Sequence, residues 1–354
     1  MKTNLFDRYK KQMLLSNFGI EGQNSLLKSK VLCVGVGGLG SIVLMYLVAA
    51  GVGTIGIVEM DFVELSNLHR QPIYNINNIG KKKIDSAYFF LNNLNSDVNI
   101  IKYYDKLSFY NVYEILKDFE IVIDCTDDFY SKFLINEFAF KLKIPMIYGA
   151  SLGFEGQIAV FDSYFGCCLK CLYSNYPIFG FKNCNDDGVL GPIPGIIGCL
   201  QALETIKLIL YKNNIGNFDI LLNKILFING LDLNIKLYKI KKNNNCNICS
   251  NLSEKISFFN KEDDFNYISY FFIKKNYNNI YFFDIRENYE YKKYHIFGSI
   301  NVPFYIFYLF IPFLFKKLSY YIKIIICCNS GMKSSLIYKL CKKYSYFNLY
   351  FLKL

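Results

Sequence analysis

Between Val31 and Val58 the chain runs for 28 residues without a charge, and seven of these are glycine, at 35, 37, 38, 40, 51, 53 and 56. A run of that length could span a bilayer, but so many glycines make a poor lipid-facing helix. Their grouping says something else. Gly35-Val-Gly37-Gly38-Leu-Gly40 follows the apolar run VLCV and precedes SIVLMYLVAA, the order of a strand, a tight turn and a helix. Glycines there allow the turn and a close approach of backbone to phosphate, while the helix N-terminus favours an anion. Gly38 and Gly40 are therefore candidate nucleotide contacts. A second apolar run, TIGIV, leads to Glu59, 19 residues beyond Gly40, where a carboxylate can hold a ribose hydroxyl.

Further strand-like runs follow at 99–104, 120–127, 145–150 and 157–162, separated by helical stretches. That alternation predicts an α/β fold with a largely parallel sheet and right-handed crossovers, a Rossmann-like unit. An Asn/Lys-rich segment around residues 241–262 interrupts it. YFFDIRE, KIIIC and KSSLIYKLCKKY beyond it predict a second, smaller α/β unit. The 354 residues thus divide into a first domain over 1–250, a linker over 251–264 and a second domain over 265–354, in keeping with about 150 residues per domain.

The formal charge of +11 comes from 40 basic residues, of which Arg8, Arg70 and Arg286 are the arginines. Lysines in scattered pairs without an arginine patch argue against direct nucleic-acid binding. Although 53% of the residues are hydrophobic, the start MKTNLFDRYKKQ has no apolar signal core, and Val302–Phe315 is only 14 residues long with two prolines. The expectation is a cytoplasmic protein that does not enter the membrane.

The glycine turn alone would suit a nicotinamide enzyme equally well. The polar segment behind it favours another nucleotide. Asp61, Asn67, Arg70, Gln71 and Lys83 follow within DFVELSNLHRQ and GKKKIDS. Hydride transfer needs no such cations, whereas ATP with Mg2+ needs positive charge along the triphosphate. Asp127, closing EIVIDCTD, stands where ligands bind in open α/β sheets and can hold Mg2+.

RYKKQMLLSNFGIEGQ, VGVGGLGS, SNLHRQ, DCTDD, GASLGFEGQIAVF and GVLGPIPGIIGCLQALETIKLIL together resemble the MoeB/ThiF adenylating enzymes over residues 7–250. The resemblance implies a homodimer in which Arg8 reaches across to the partner's ATP. It also implies Arg70 and Lys83 on the phosphates, Asp127 on Mg2+, and Asn67 and Gln71 ordering their loop. Glu59 replaces the family's usual Asp, and Asp128 its usual Asn.

Twelve cysteines in an intracellular chain point to metal or catalysis rather than disulfides. Cys168-Leu-Lys-Cys171 and Cys246-Asn-Ile-Cys249 are two knuckles separated by 74 residues, the pattern of a closed, structural zinc site with four cysteine ligands. Cys167 is a fifth thiol nearby. Cys184 lies in the polar FKNCNDDGVLG, suited to attack an activated carbonyl; in the family that position forms a thioester or disulfide with the acyl partner. Cys33, Cys125 and Cys199 fall in apolar runs and are expected in the core, and Cys341 has no assigned role.

DIRENYEYKKYHIFGSINVPF and IIICCNSGMKSS resemble a rhodanese domain, with Cys328 as the implied persulfide carrier. Such a loop stabilises a thiolate by its backbone N–H groups. Asn329 and Lys333 stand where such loops often have arginine, and Cys327 could form a vicinal disulfide with Cys328. Arg286 and His295 are expected to brace loops. The fusion resembles eukaryotic enzymes that adenylate a ubiquitin-like sulfur-carrier protein and convert its C-terminal glycine to a thiocarboxylate. They take sulfur from a cysteine desulfurase or another donor and serve tRNA wobble-uridine thiolation or molybdopterin synthesis. The alternative is a ubiquitin-like-protein activating enzyme whose rhodanese unit only docks.

Overall fold

The computed structural model describes residues 5–163, 166–173, 188–246, 248–250, 280–304, 306–307, 310–311, 323–328, 337 and 349–353. The chain divides into two compact units, Met1–Pro177 with Phe181–Phe258, and Ile178–Gly180 with Phe259–Leu354. Cys184, Lys333 and Cys341 lie outside the described residues.

In the first unit, α1 (Leu5–Met13) and α2 (Gly19–Lys28) lead into β1 (Lys30–Val34), α3 (Gly38–Ala50) and β2 (Thr54–Val58). Then come α4 (Lys83–Leu94), β3 (Asn99–Tyr103), α5 (Val112–Leu116), β4 (Ile121–Asp124), α6 (Phe129–Leu142), β5 (Met146–Leu152) and β6 (Glu155–Phe161). The short α7 (Leu169–Leu172), the long α8 (Pro192–Lys212), β7 (Lys224–Asn229) and β8 (Asn234–Lys239) complete it. The eight strands lie in the order β3-β2-β1-β4-β5-β6-β7-β8. β3, β2, β1, β4 and β5 run parallel, and β5 to β8 antiparallel. The parallel part matches the sequence expectation. The antiparallel β7–β8 hairpin does not appear in it, because β8 (NIKLYK) is exposed at every position and buries no face that would leave a pattern.

β1 pairs with β2 on one side and with β4 on the other. The chain direction of the winding reverses here, so the loops after β1 and β4 part and leave a crevice at their carboxyl ends. Gly35 turns with φ +93°, and a Cβ there would stand 2.8 Å from the Cys125 carbonyl oxygen. At Gly40 a Cβ would lie 2.0 Å from the Gly35 carbonyl oxygen. Both glycines are thus required sterically, one by the turn and one by the close fold-back of α3.

Among the described residues, α8 is the one helix long and apolar enough to cross a membrane. It packs instead on α3, β5 and β6, and its Gln201 and Thr205 are buried and hydrogen-bonded. Cys33 and Cys125 are in the core, as expected. Cys199 corrects the expectation: it is exposed on α8. Helical periodicity explains this, since Ile197, Gly198, Gln201 and Ala202 take the inward stripe and leave Cys199 on the outer face.

The second unit contains a four-stranded parallel sheet in the order β10-β9-β11-β12, from β9 (Ile280–Asp284), β10 (Ile300–Asn301), β11 (Lys323–Cys328) and β12 (Leu349–Lys353). Between β9 and β10 lies α9 (Asn288–Lys293).

Candidate functional site

The glycine turn is clamped by two side chains that grip the same peptide. Glu59 Oε2 accepts from Val36 N at 2.9 Å, and the Tyr74 hydroxyl donates to Val36 O at 3.0 Å. The other Glu59 oxygen accepts from Met60 N and Asp61 N, each at 2.9 Å. Glu59 therefore holds the turn itself, the extra methylene relative to aspartate giving it that reach. Tyr74 is buried and close to Glu59 and Asp61, and burial with those negative neighbours keeps its hydroxyl protonated.

The segment expected to carry cations folds back onto this turn. A Cβ at Gly38 would lie 3.0 Å from Pro194 Cβ and 3.4 Å from Arg70 O, and one at Gly191 would lie 2.4 Å from His69 O. The start of α8 thereby presses the Arg70 segment against the glycine turn. Asn67 is buried; its Oδ1 accepts from Glu64 N at 3.2 Å, closing a short helical turn ahead of Arg70. Arg70 Nη1 donates to Ser66 O at 2.9 Å and lies 2.8 Å from His69 Nε2. Lys83, buried at the start of α4, points its Nζ to within 3.5 Å of Asp61 Oδ2 and donates its backbone N–H to Asp61 O. Gly38, Glu59, Asp61, Asn67, Arg70 and Lys83 are thus brought together around one turn. Arg8 stands elsewhere, on α1, donating to Leu94 O at 3.1 Å.

Across the crevice, Asp127 is exposed three residues beyond the end of β4. Its neighbour Asp128 has a different task. Its Oδ1 accepts from Ser131 N at 2.9 Å and its Oδ2 from Ser131 Oγ at 2.8 Å, capping α6. The negative charge that replaces the family's Asn is spent on the helix N-terminus.

Sequence reasoning missed the layer beneath. Asp124 and Lys132 form a buried ion pair, Oδ2 to Nζ 3.0 Å. Lys132 also donates to Gly149 O at 2.8 Å and lies over the Tyr148 ring. Asp124 Oδ1 accepts from Thr126 N at 3.1 Å and Thr126 Oγ1 at 2.6 Å, tying the loop that carries Asp127 to the end of β4. Burial raises the Asp124 carboxyl, while Lys132 and Thr126 oppose it. The available signal was a lone lysine in the apolar helix FYSKFLIN.

The cysteine knuckles meet. The four Sγ atoms of Cys168, Cys171, Cys246 and Cys249 lie within 4.8 Å of one another. Cys168 to Cys246 is 3.7 Å and Cys171 to Cys249 is 3.2 Å. Tetrahedral zinc with bonds of about 2.3 Å separates its sulfurs by about 3.8 Å, so the donor set fits. Hydrogen bonds among the four thiols drive Cys171 and Cys246 towards thiolate and push Cys168 and Cys249 up. Leu169 N donates to Asn136 Oδ1 at 2.8 Å, which fixes the first knuckle to α6. Cys167 turns away: its thiol donates to Asn223 Oδ1, and burial raises it to about 11. The cluster can hold one metal ion with four protein ligands.

In the second unit, Arg286 is a brace, as expected. Its Nη2 lies 2.6 Å from Asp284 Oδ2 and donates to Tyr294 O at 2.7 Å. Asn301 Nδ2 closes the same knot on the carbonyls of Asp284 and Arg286. His295 stacks on Tyr291, ring centroids 4.1 Å apart, with Nδ1 2.9 Å from the Tyr291 carbonyl oxygen. Cys327 is buried in β11, opposite Asp284. Cys328 ends β11; its side chain and residues 329–336 lie outside the described residues.

Comparison with known proteins agrees with this layout. Residues 9–248 match the ThiF family. The chain belongs to the ThiF family. Its residues 273–354 match the rhodanese-like domain, so the ThiF part is followed by a rhodanese-like part. Adenylyltransferase and sulfurtransferase MOCS3 of Arabidopsis thaliana is 39% identical over 264 residues, covering 73% of this chain and 55% of that protein. Adenylyltransferase and sulfurtransferase UBA4 of Meyerozyma guilliermondii is 42% identical over 215 residues, covering 60% and 51%. The chain spans about half the length of the curated relatives it matches. Among solved structures, that of E. coli MccB with ATP superposes with a TM-score of 0.59 at 19% identity over 71% of this chain and 75% of that one. At that identity the likeness establishes the ThiF fold.

Proposed function

We propose that this ThiF-family protein adenylates the C-terminal glycine of a ubiquitin-like sulfur-carrier protein with ATP and then transfers sulfur to it. One observation supports the adenylation reading: the glycine turn, with the Arg70 segment folded onto it, follows β1, and the exposed Asp127 follows the neighbouring β4, at the switch point of the sheet. The adenylyltransferase and sulfurtransferase names of the relatives support both halves.

The nucleotide would lie over Gly38 and Gly40, with Arg70 and Lys83 along its phosphates and Glu59 fixing the turn beneath. Mg2+ held by Asp127 would supply charge neutralisation on the phosphates. The carrier's carboxylate attacks the α-phosphorus and pyrophosphate leaves, giving an acyl-adenylate; positioning and electrostatics account for the rate. Arg8, on a helix outside the cradle, suits a role on the ATP of the second protomer of a homodimer. A persulfide on Cys328, loaded by a cysteine desulfurase or comparable donor, then attacks the acyl carbonyl and expels AMP. The resulting acyl disulfide yields the thiocarboxylate when a thiol, for which Cys184 is the candidate, attacks the Cys328 sulfur; a disulfide between that thiol and Cys328 remains, which a low-molecular-weight thiol or a dithiol reductase would reduce. Zinc in the four-thiolate cluster would be structural, since no open position remains for substrate. The cytoplasm is the proposed location. tRNA thiolation or molybdopterin synthesis is the proposed destination of the sulfur.

The test is mass spectrometry of a candidate carrier after incubation with the protein, ATP and a sulfur donor. Sulfur in place of one oxygen supports the reading. Carrier-dependent pyrophosphate exchange without any mass change would leave an activating enzyme only.

A further inference from the structure

The four thiols of the metal cluster are not equally sheltered. Cys168, Cys246 and Cys249 are 1%, 3% and 4% exposed, whereas Cys171 is only partly buried. The first knuckle explains the difference. Cys168 stands immediately before α7, where Asn136 of α6 holds the next peptide N–H. Cys171 comes a turn later, its sulfur accepting from Asn243 N at 3.4 Å. The approaches between sulfurs are uneven as well. Cys171 Sγ lies 3.2 Å from Cys249 Sγ, and Cys168 Sγ 3.7 Å from Cys246 Sγ. Each of these contacts joins one knuckle to the other.

A metal with four cysteine ligands is held by thiolates, and the thiolate is also the nucleophilic form of cysteine. Oxidation follows thiolate character and access, and it goes on to a disulfide where a second thiol stands in reach. Cys171 has the access and Cys249 has the position. Holding a structural ion asks for neither, since four buried sulfurs would serve equally well.

We infer that Cys171 is a site of oxidation by hydrogen peroxide, with Cys249 as its resolving thiol, and that the bond formed between them empties the metal site. The inference rests on the metal reading above and not on adenylation. The Cys171 sulfur attacks one peroxide oxygen and the O–O bond breaks; the other oxygen leaves as hydroxide and takes a proton to become water. Cys171 is then a sulfenic acid, its sulfur oxidised by two electrons and the peroxide reduced by two. The Cys249 sulfur attacks the Cys171 sulfur, the S–O bond breaks, and the departing hydroxide takes a second proton. In sum, two thiolates, one hydrogen peroxide and two protons give one disulfide and two waters. Only Cys168 and Cys246 then remain as ligands, too few for a closed four-thiolate site. The new bond keeps the second knuckle on α7 after the ion has gone.

To test this, the full chain, purified with its metal and freed of reductant, is treated with hydrogen peroxide in the presence of a chromogenic chelator, against an untreated control. Remaining thiols are then alkylated and the digest is mapped by mass spectrometry. The expected result is complete loss of the bound metal, a peptide pair linked through Cys171 and Cys249, and recovery of metal binding after a dithiol reductant and added Zn2+. Cys199→Ser, which removes the exposed thiol of α8, should lose metal as the unaltered chain does. Peroxide-treated protein should also melt above reduced, chelator-stripped protein, because one keeps a cross-link and the other has none. Metal lost with Cys171 and Cys249 both still open to alkylation, a Cys168–Cys171 bond in place of Cys171–Cys249, or metal retained with all four thiols intact would overturn the inference. An untreated chain that holds no metal would sink the metal reading and the emptying with it, while the mapped pairing would still decide whether Cys171 and Cys249 react as assigned.

Discussion

Lys132 Nζ stands 3.0 Å from Asp124 Oδ2, with the lysine side chain 4% exposed and the aspartate 0%. The pair joins α6 to the end of β4 directly beneath the loop that carries Asp127. Taking away one member strands a charge in the interior. Lys132→Met should therefore destabilise the first unit by about 3–5 kcal/mol. Denaturant unfolding of the single variant and of Lys132→Met with Asp124→Leu checks this, the double variant recovering part of the loss. A loss in the double variant equal to the sum of the losses of Lys132→Met and Asp124→Leu alone would show that the pair is not coupled.

Tyr74 and Glu59 hold the two ends of the Val36 peptide. Tyr74→Phe removes one hydroxyl and leaves the Val36 carbonyl buried without a donor, a loss of about 1–3 kcal/mol. Melting temperature should fall, and the stabilisation conferred by added ATP should shrink. An unchanged ATP-induced shift would separate the turn's rigidity from nucleotide binding.

Asp127 and Asp128 are adjacent carboxylates with separable roles. Asp128→Ala removes the α6 cap and should cost about 1 kcal/mol of stability, with adenylation reduced only modestly. Asp127→Ala touches no hydrogen bond among the described residues, so stability should hold while carrier-dependent pyrophosphate exchange falls below detection. Reversed outcomes would exchange the two assignments.

These contrasts mark what the sequence could convey. Gly35 and Gly40 were legible because only glycine fits their contacts, and the paired CxxC knuckles because a metal needs four ligands at fixed spacing. The strands β1, β2 and β4 were legible because both faces are buried and largely apolar. Asp124 was not, since it sits inside EIVIDCTD and only the fold brings Lys132 to it. Asp128 read as a departure near a metal, whereas its hydrogen bonds make it a helix cap. The exposed side of β8 and the outward face of Cys199 escaped for a shared reason: apolar residues at the surface carry no inward periodicity.

Elemental analysis should find one zinc per chain, and a chelator should lower the melting temperature. The pH dependence has a definite sign. Thiolates bind metal and thiols do not, so affinity falls as pH falls. Cys171 and Cys246, held towards thiolate by hydrogen bonds from Cys168, should be the last ligands to be protonated. Metal release on acidification, followed with a chromogenic chelator, should begin below neutrality. Retention of metal in Cys168→Ser with Cys249→Ser would refute the assignment.

The second knuckle also fastens the last described stretch of the first unit. Cys249 precedes Ser250, whose N–H bonds to Cys246 O at 3.0 Å, and the thiol cluster fastens this stretch to α7. Released from the metal, the fastened part would end at Lys239, at the end of β8. The eleven residues 240–250 would then join the tether to the rhodanese-like unit, adding as much as about 36 Å to its span. A longer tether dilutes one end in the neighbourhood of the other. The cluster is in this sense a length setting: it determines how much chain stands between the ThiF-family part and the rhodanese-like part.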